Sequence, residues 1–120
     1  MPPFTCRVYY EDTDLAGIVY YANYLKYIER ARTEWVRAQG IDQVELKARG
    51  LVFAVRHLEA DYLKPARFDD LLTVTTEELT RSPARLILTQ QVLREATPLF
   101  TAKVTLVCLK ADGTPTRLPL

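Results

Sequence analysis

Apolar positions fall into two rhythms along this chain, helical from about Asn23 to Gly50 and strand-like near the start of the chain and beyond Gly50. From about Asn23 to Gln39 the residues Tyr24, Ile28, Ala31, Trp35 and Ala38 recur at three- and four-residue steps, while Lys26, Glu29, Arg30, Glu34 and Arg37 fall mostly elsewhere. The spacing predicts an amphipathic helix with one buried stripe. Asn23 is its predicted N-cap, because its side chain can accept a hydrogen bond from a free N–H of the first turn. Gly40 is its predicted stop, since glycine takes the left-handed geometry that ends helices. A short helical turn is predicted around Asp42 to Lys47.

Phe4 to Tyr10 (FTCRVYY) alternates and is rich in aromatic and branched residues, which predicts a first strand. Beyond Gly50 come Leu51 to Leu63, Leu71 to Thr80, Arg85 to Glu95 and Leu99 to Lys110. They are broken at Pro65 to Asp70, Ser82-Pro83, Thr97-Pro98 and Asp112-Gly113. Parallel neighbours need a crossover of about a dozen residues or more, so these short connections predict an antiparallel meander. The tail TPTRLPL reads as an irregular, fraying end.

One long helix and five strands in 120 residues predict an α+β layer pair, a single domain over residues 1–120 with the sheet curled around the helix. The VTLVCL run is apolar on both faces, as is much of LVFAV, and one helix covers only part of that surface. A second copy of the chain is the expected cover.

Charge changes the picture little. Lys plus Arg total 16 against 15 Asp plus Glu, with no basic arm or face for nucleic acid. No stretch reaches the roughly 20 apolar residues that span a bilayer, and the N-terminal residues lack a charged lead followed by an apolar segment. The expectation is a cytoplasmic protein. Cys6 and Cys108 lie in separate strand runs without a second ligand at metal spacing, so they read as buried free thiols.

Candidate chemistry concentrates in Glu11 to Arg32, EDTDLAGIVYYANYLKYIERAR. Six of the seven tyrosines lie in or just ahead of it: Tyr9, Tyr10, Tyr20, Tyr21, Tyr24 and Tyr27. Asp14 stands in a loop running into the helix, where orphan N–H groups favour negative charge and can polarise a carbonyl. One place would then supply a base or nucleophile and an electrophilic stabiliser, the needs of acyl-group hydrolysis. The same spacing also suits acids that merely complement the helix dipole. A calcium-type reading of Glu11, Asp12 and Asp14 lacks the alternating ligands and closing glutamate. His57, the one histidine, falls in a strand run, and no G-x-S-x-G elbow exists, so the chemistry falls to a carboxylate. Tyr24 is assigned to packing. Gly17, Tyr20, Tyr21 and Asn23 are the candidate substrate-binding residues, with Gly17 able to take a conformation that other residues resist.

The run Y-x-D-T-D-x-A-G-I-V-Y-Y-A-N-Y-L-x-x-x-E-R-A-R-T-E-W, with the later YLKPARFDD, resembles the YbgC-like acyl-CoA thioesterases of the 4-hydroxybenzoyl-CoA thioesterase superfamily. The likeness extends from about Val8 to Lys110. It implies a hotdog fold, one long central helix wrapped by a five-stranded antiparallel sheet. It further implies homodimers or homotetramers with active sites at the subunit interface, and hydrolysis of acyl-CoA to free acid and CoA without metal or cofactor. The family's catalytic aspartate corresponds to Asp14, as nucleophile or general base, and its oxyanion donor to a backbone N–H at Tyr21 or its neighbours. The chain departs from many members in carrying Tyr21 where they carry histidine, an exchange that a backbone role survives. The rivals are a hotdog dehydratase built on a histidine and a non-catalytic module binding acyl-CoA or an acyl carrier protein.

Overall fold

The computed structural model describes residues 3–120. Strand β1 (Phe4–Arg7) leads through a short 3-10 turn (Tyr10–Asp12) and an acidic hairpin into helix α1 (Asn23–Ala38). A short helix α2 (Gln43–Ala48) follows, then β2 (Leu51–Tyr62), β3 (Leu71–Arg81), β4 (Leu86–Arg94), β5 (Thr97–Lys110) and β6 (Pro115–Thr116). All the pairings are antiparallel, in the order β1-β3-β4-β5-β2, with β6 on the end of β5. This is the hotdog arrangement.

Only β3, β4 and β5 form the predicted meander. β2 crosses to the far side of β5, pairing Leu51 with Lys110 and Tyr62 with Phe100, so α1 and the sheet nest rather than follow one another. Register shifts at Val55/His57 and at Glu78/Thr80 place an extra residue in β2 and in β3, which bends the sheet around the helix. The first strand is shorter than its apolar run, because Tyr9 starts the 3-10 turn that feeds the acidic hairpin.

α1 packs on β1, β3 and β4 through Tyr24, Tyr27, Ile28, Ala31, Trp35 and Val36. Ala38, expected on the stripe, is exposed, because the helix overruns the sheet just before Gly40 ends it at φ +85. Facing the helix are Leu72 and Val74 of β3, Leu86, Leu88, Gln90 and Val92 of β4, and Phe100, Val104, Leu106 and Cys108 of β5, all buried. Gln90 is tolerated in this layer because its amide donates to the Ile28 carbonyl and the Thr76 hydroxyl while its oxygen accepts from Arg32.

The tail is anchored rather than frayed: β6 pairs with β5, and the Leu118 N–H donates to the Pro83 carbonyl while its side chain is buried. Cys6 on β1 and Cys108 on β5 are free thiols on strands separated by β3 and β4. Burial pushes the Cys6 thiol up to about 11, with Arg30 lowering and Asp12 raising it, so thiolate is scarce at neutral pH.

The segment between β2 and β3 belongs to YLKPARFDD, and its docking explains that motif. Asp70 accepts from the Arg67 N–H at 2.9 Å and from Arg94 at 2.8 Å, and Arg94 also reaches the Pro65 carbonyl at 3.3 Å. Burial pushes the Asp70 carboxyl up, but the Arg67 N–H and the Arg94 guanidinium together outweigh it and hold it below the usual aspartate value. A lowered native value stabilises the fold above the unfolded-state value and is lost as pH falls through the native one. Urea unfolding of the protein and of Asp70→Asn should therefore differ by about 1 kcal/mol near pH 7. The gap should begin to close below about pH 4. A pH-independent gap would remove the ion pair from the account.

Candidate active site

The acidic loop is a small hairpin sewn to the helix start. Thr13 and Val19 form an antiparallel bridge, Asp14 N–H donates to the Ile18 carbonyl, and Gly17 N–H donates back to the Asp14 carbonyl. Gly17 closes the turn at φ +78, a left-handed conformation that side chains resist. Val19 is buried and donates its N–H to the Ala66 carbonyl, and Ile18 bridges Arg67, so the crossover segment backs the hairpin.

The Asp12 carbonyl ties loop to helix by accepting from both the Tyr20 N–H and the Asn23 amide, each at 2.9 Å. This corrects the predicted role of Asn23. The N-cap is Ala22, whose side chain has nothing to offer, and Asn23 is the first helical residue with its amide turned back to the loop. The N-terminus of α1 is consequently left without a side-chain cap. Among the described residues the N–H groups of Tyr21, Ala22 and Tyr24 have no partner within the chain.

The three acids do different things. The Asp12 carboxylate accepts from the Tyr9 N–H at 2.8 Å and shapes the 3-10 turn. Glu11 is exposed. Asp14 is exposed too, with Oδ1 accepting from the Ala16 N–H at 2.9 Å rather than from the helix, and Oδ2 without a partner among the described residues. One oxygen fixes the side chain and the other is open, which suits a carboxylate that must meet a water or a substrate atom.

The aromatic wall beside this junction divides into core and surface. Tyr24 is buried, stacks on Phe100 with centroids 5.0 Å apart, and accepts the Ala66 N–H at its hydroxyl. Tyr27 is also buried, with its hydroxyl unpartnered among the described residues. Burial first and the Asp12 carboxylate second push it far up and keep it neutral. Tyr20 and Tyr21 are exposed and meet edge to face at 5.0 Å. The residue that sequence reasoning missed is Tyr62, from the end of β2, whose hydroxyl donates to the Tyr21 carbonyl at 2.8 Å. Only a β2 placed beside Phe100 brings it there, and nothing in local spacing signals that. His57 lies on the opposite face of the sheet, exposed beside Glu59 at 3.2 Å, apart from this junction.

The model of the thioesterase-like superfamily matches residues 8–119. The chain belongs to that superfamily. Among relatives of this thioesterase-like chain, the acyl-CoA thioester hydrolase YbgC of Escherichia coli is 43% identical over 104 residues, 86% of this chain and 78% of that one. The acyl-CoA thioesterase YbgC of Haemophilus influenzae is 42% identical over 107 residues, 88% of this chain and 79% of that one. A solved structure described as a probable thioesterase from Bartonella henselae superposes with a TM-score of 0.93 at 40% identity, covering 98% of both chains. Among the described residues of this thioesterase-like chain, no helix is long and apolar enough to cross a membrane.

Proposed function

We propose that this chain hydrolyses acyl-CoA thioesters to the free acid and CoA. The reading rests on one observation: an exposed carboxylate with an open oxygen, Asp14, belongs to a hairpin tied directly to a helix start whose Tyr21 and Ala22 N–H groups have no partner among the described residues. The free N–H groups receive the carbonyl oxygen as it gains charge, and the helix dipole favours that charge. Asp14 either attacks the carbonyl carbon, expelling CoA thiolate and leaving an acyl-aspartyl anhydride that water then hydrolyses, or takes a proton from a water that attacks the carbonyl directly. By both routes the C–S bond breaks, a C–O bond to the water oxygen forms, and the thiolate takes up the proton that the water releases. The relatives' names agree with this chemistry.

Gly17, Tyr20 and Tyr21 border the acyl end, while Asn23 holds the loop rather than the substrate. In one chain the junction is open to solvent, and a second copy supplies the missing wall. β2 supports this, because it is an unpaired edge whose helix-side residues Val55, Leu58 and Tyr62 are exposed while α1 covers β1, β3 and β4. Such a pairing makes a homodimer with its clefts at the subunit boundary.

The test is release of free thiol from acetyl-, hexanoyl-, palmitoyl- and benzoyl-CoA by the purified protein. Steady thiol release from at least one ester is expected. Saturable binding of the esters with no thiol released would replace the enzyme with a binding module.

A further inference from the structure

Two successive peptide units enter α1 with their oxygens tied and their N–H groups free. The Tyr20 carbonyl accepts from the Asn23 N–H at 2.8 Å, and the Tyr21 carbonyl accepts from the Tyr62 hydroxyl at 2.8 Å. No peptide bond among the described residues is cis, so the C=O and N–H of each unit point in opposite directions. Holding the Tyr20 oxygen therefore aims the Tyr21 N–H, and holding the Tyr21 oxygen aims the Ala22 N–H. The first tie joins backbone to backbone within the turn. The second is made by a side chain from a different element.

Tyr62 is well placed to hold that aim. Its ring meets Phe100 at 4.9 Å, Tyr24 at 5.4 Å and Tyr21 at 6.2 Å, each close to edge-on, so the hydroxyl is delivered by a ring that neighbours on two elements and the entry turn hold in place. The side chain is nevertheless 48% exposed, and phenylalanine would make the same ring contacts. The hydroxyl is the part that needs explaining. Burial first, and then its tyrosine neighbours, push its pKa up, which keeps it protonated and donating. A donor on a peptide oxygen also polarises that peptide and strengthens the N–H on its other side.

We propose that Tyr62 is a positioning residue for thioester hydrolysis, holding the Tyr21–Ala22 peptide so that the Ala22 N–H meets the developing oxyanion. The inference rests on the reading of this junction as the site of acyl-CoA hydrolysis. It also links β2, the open edge of the sheet, to the chemistry at the helix start: whatever seats β2 sets the direction of a catalytic donor.

Tyr62→Phe keeps the ring and deletes the hydroxyl. With whichever of the four esters the protein hydrolyses fastest, kcat should fall about tenfold while KM moves by less than about twofold. The melting midpoint should stay within about 2 °C. Unchanged kcat, or a rise in KM alone, would overturn the proposal. The second readout is the ¹³C=O stretch of the matching ketone analogue, with methylene in place of sulfur, bound well below both melting midpoints. The protein should lower that frequency more than Tyr62→Phe does; equal frequencies would mean the hydroxyl serves only stability. Asp14→Asn measured alongside separates the two levels. If Asp14→Asn is inactive and Tyr62→Phe turns over at the full rate, the positioning role alone falls. If Asp14→Asn retains turnover, the site reading falls and takes this proposal with it.

Discussion

Asp14→Asn should lower kcat by about 10³-fold or more, which at about 1.4 kcal/mol per decade is roughly 4 kcal/mol of lost transition-state stabilisation. The substitution is close to isosteric. Asparagine keeps an oxygen that can accept the Ala16 N–H, so the turn closed by Gly17 should persist. What disappears is the negative charge and the basic oxygen: an amide neither takes a proton from water near neutral pH nor attacks a thioester as a carboxylate does. Asp14 is exposed and makes no ion pair among the described residues, so the melting midpoint should barely move. Thiol release at saturating ester, with a thermal melt of the same sample, checks both halves. Turnover within about tenfold of the unsubstituted protein would move the chemistry to another residue.

The largest expected loss of stability is at Phe100. This side chain is fully buried on the helix face of β5, stacked on Tyr24 with an interplanar angle of 18° and edge-on to Tyr62 at 4.9 Å. Phe100→Ala removes the ring on which both tyrosines rest and leaves a cavity that the surrounding strands cannot collapse into without shifting register. The cost for such a truncation is about 3–5 kcal/mol. For a chain of this length that corresponds to a fall in melting midpoint of roughly 10–20 °C at fixed protein concentration. Activity below the new midpoint should fall too, because Tyr62 loses its seat. A fall of less than about 5 °C would show that the aromatic cluster is looser than its geometry. Tyr10→Ala, which removes an 82% exposed ring, is the comparison that should cost little.

How much of this site is legible in the chain depends on the distance over which each feature is decided. The helix and its stop at Gly40 rest on contacts within a few residues, so periodicity and one glycine suffice. Asp14 and the Gly17 turn are equally local. Asn23 is the instructive error. It has the right residue type for a cap, yet the Asp12 carbonyl, eleven residues back, takes its amide and moves it inside the helix. Tyr62 escapes local reading for the same reason, since it reaches the helix start from 41 residues away.

Alternation and spacing by themselves determined the element types and the acid-bearing loop, because these follow from backbone propensity and nearest-neighbour chemistry. The family motifs added the fold. Tertiary structure alone decided that β2 pairs with β5 rather than β3, that an asparagine binds loop to helix, and that a tyrosine hydroxyl takes hold of the peptide at the helix entrance. Strand order, and which donor meets which carbonyl, depend on closing long loops around one shared core. The free energy of that closure belongs to the assembled chain and not to any segment of it.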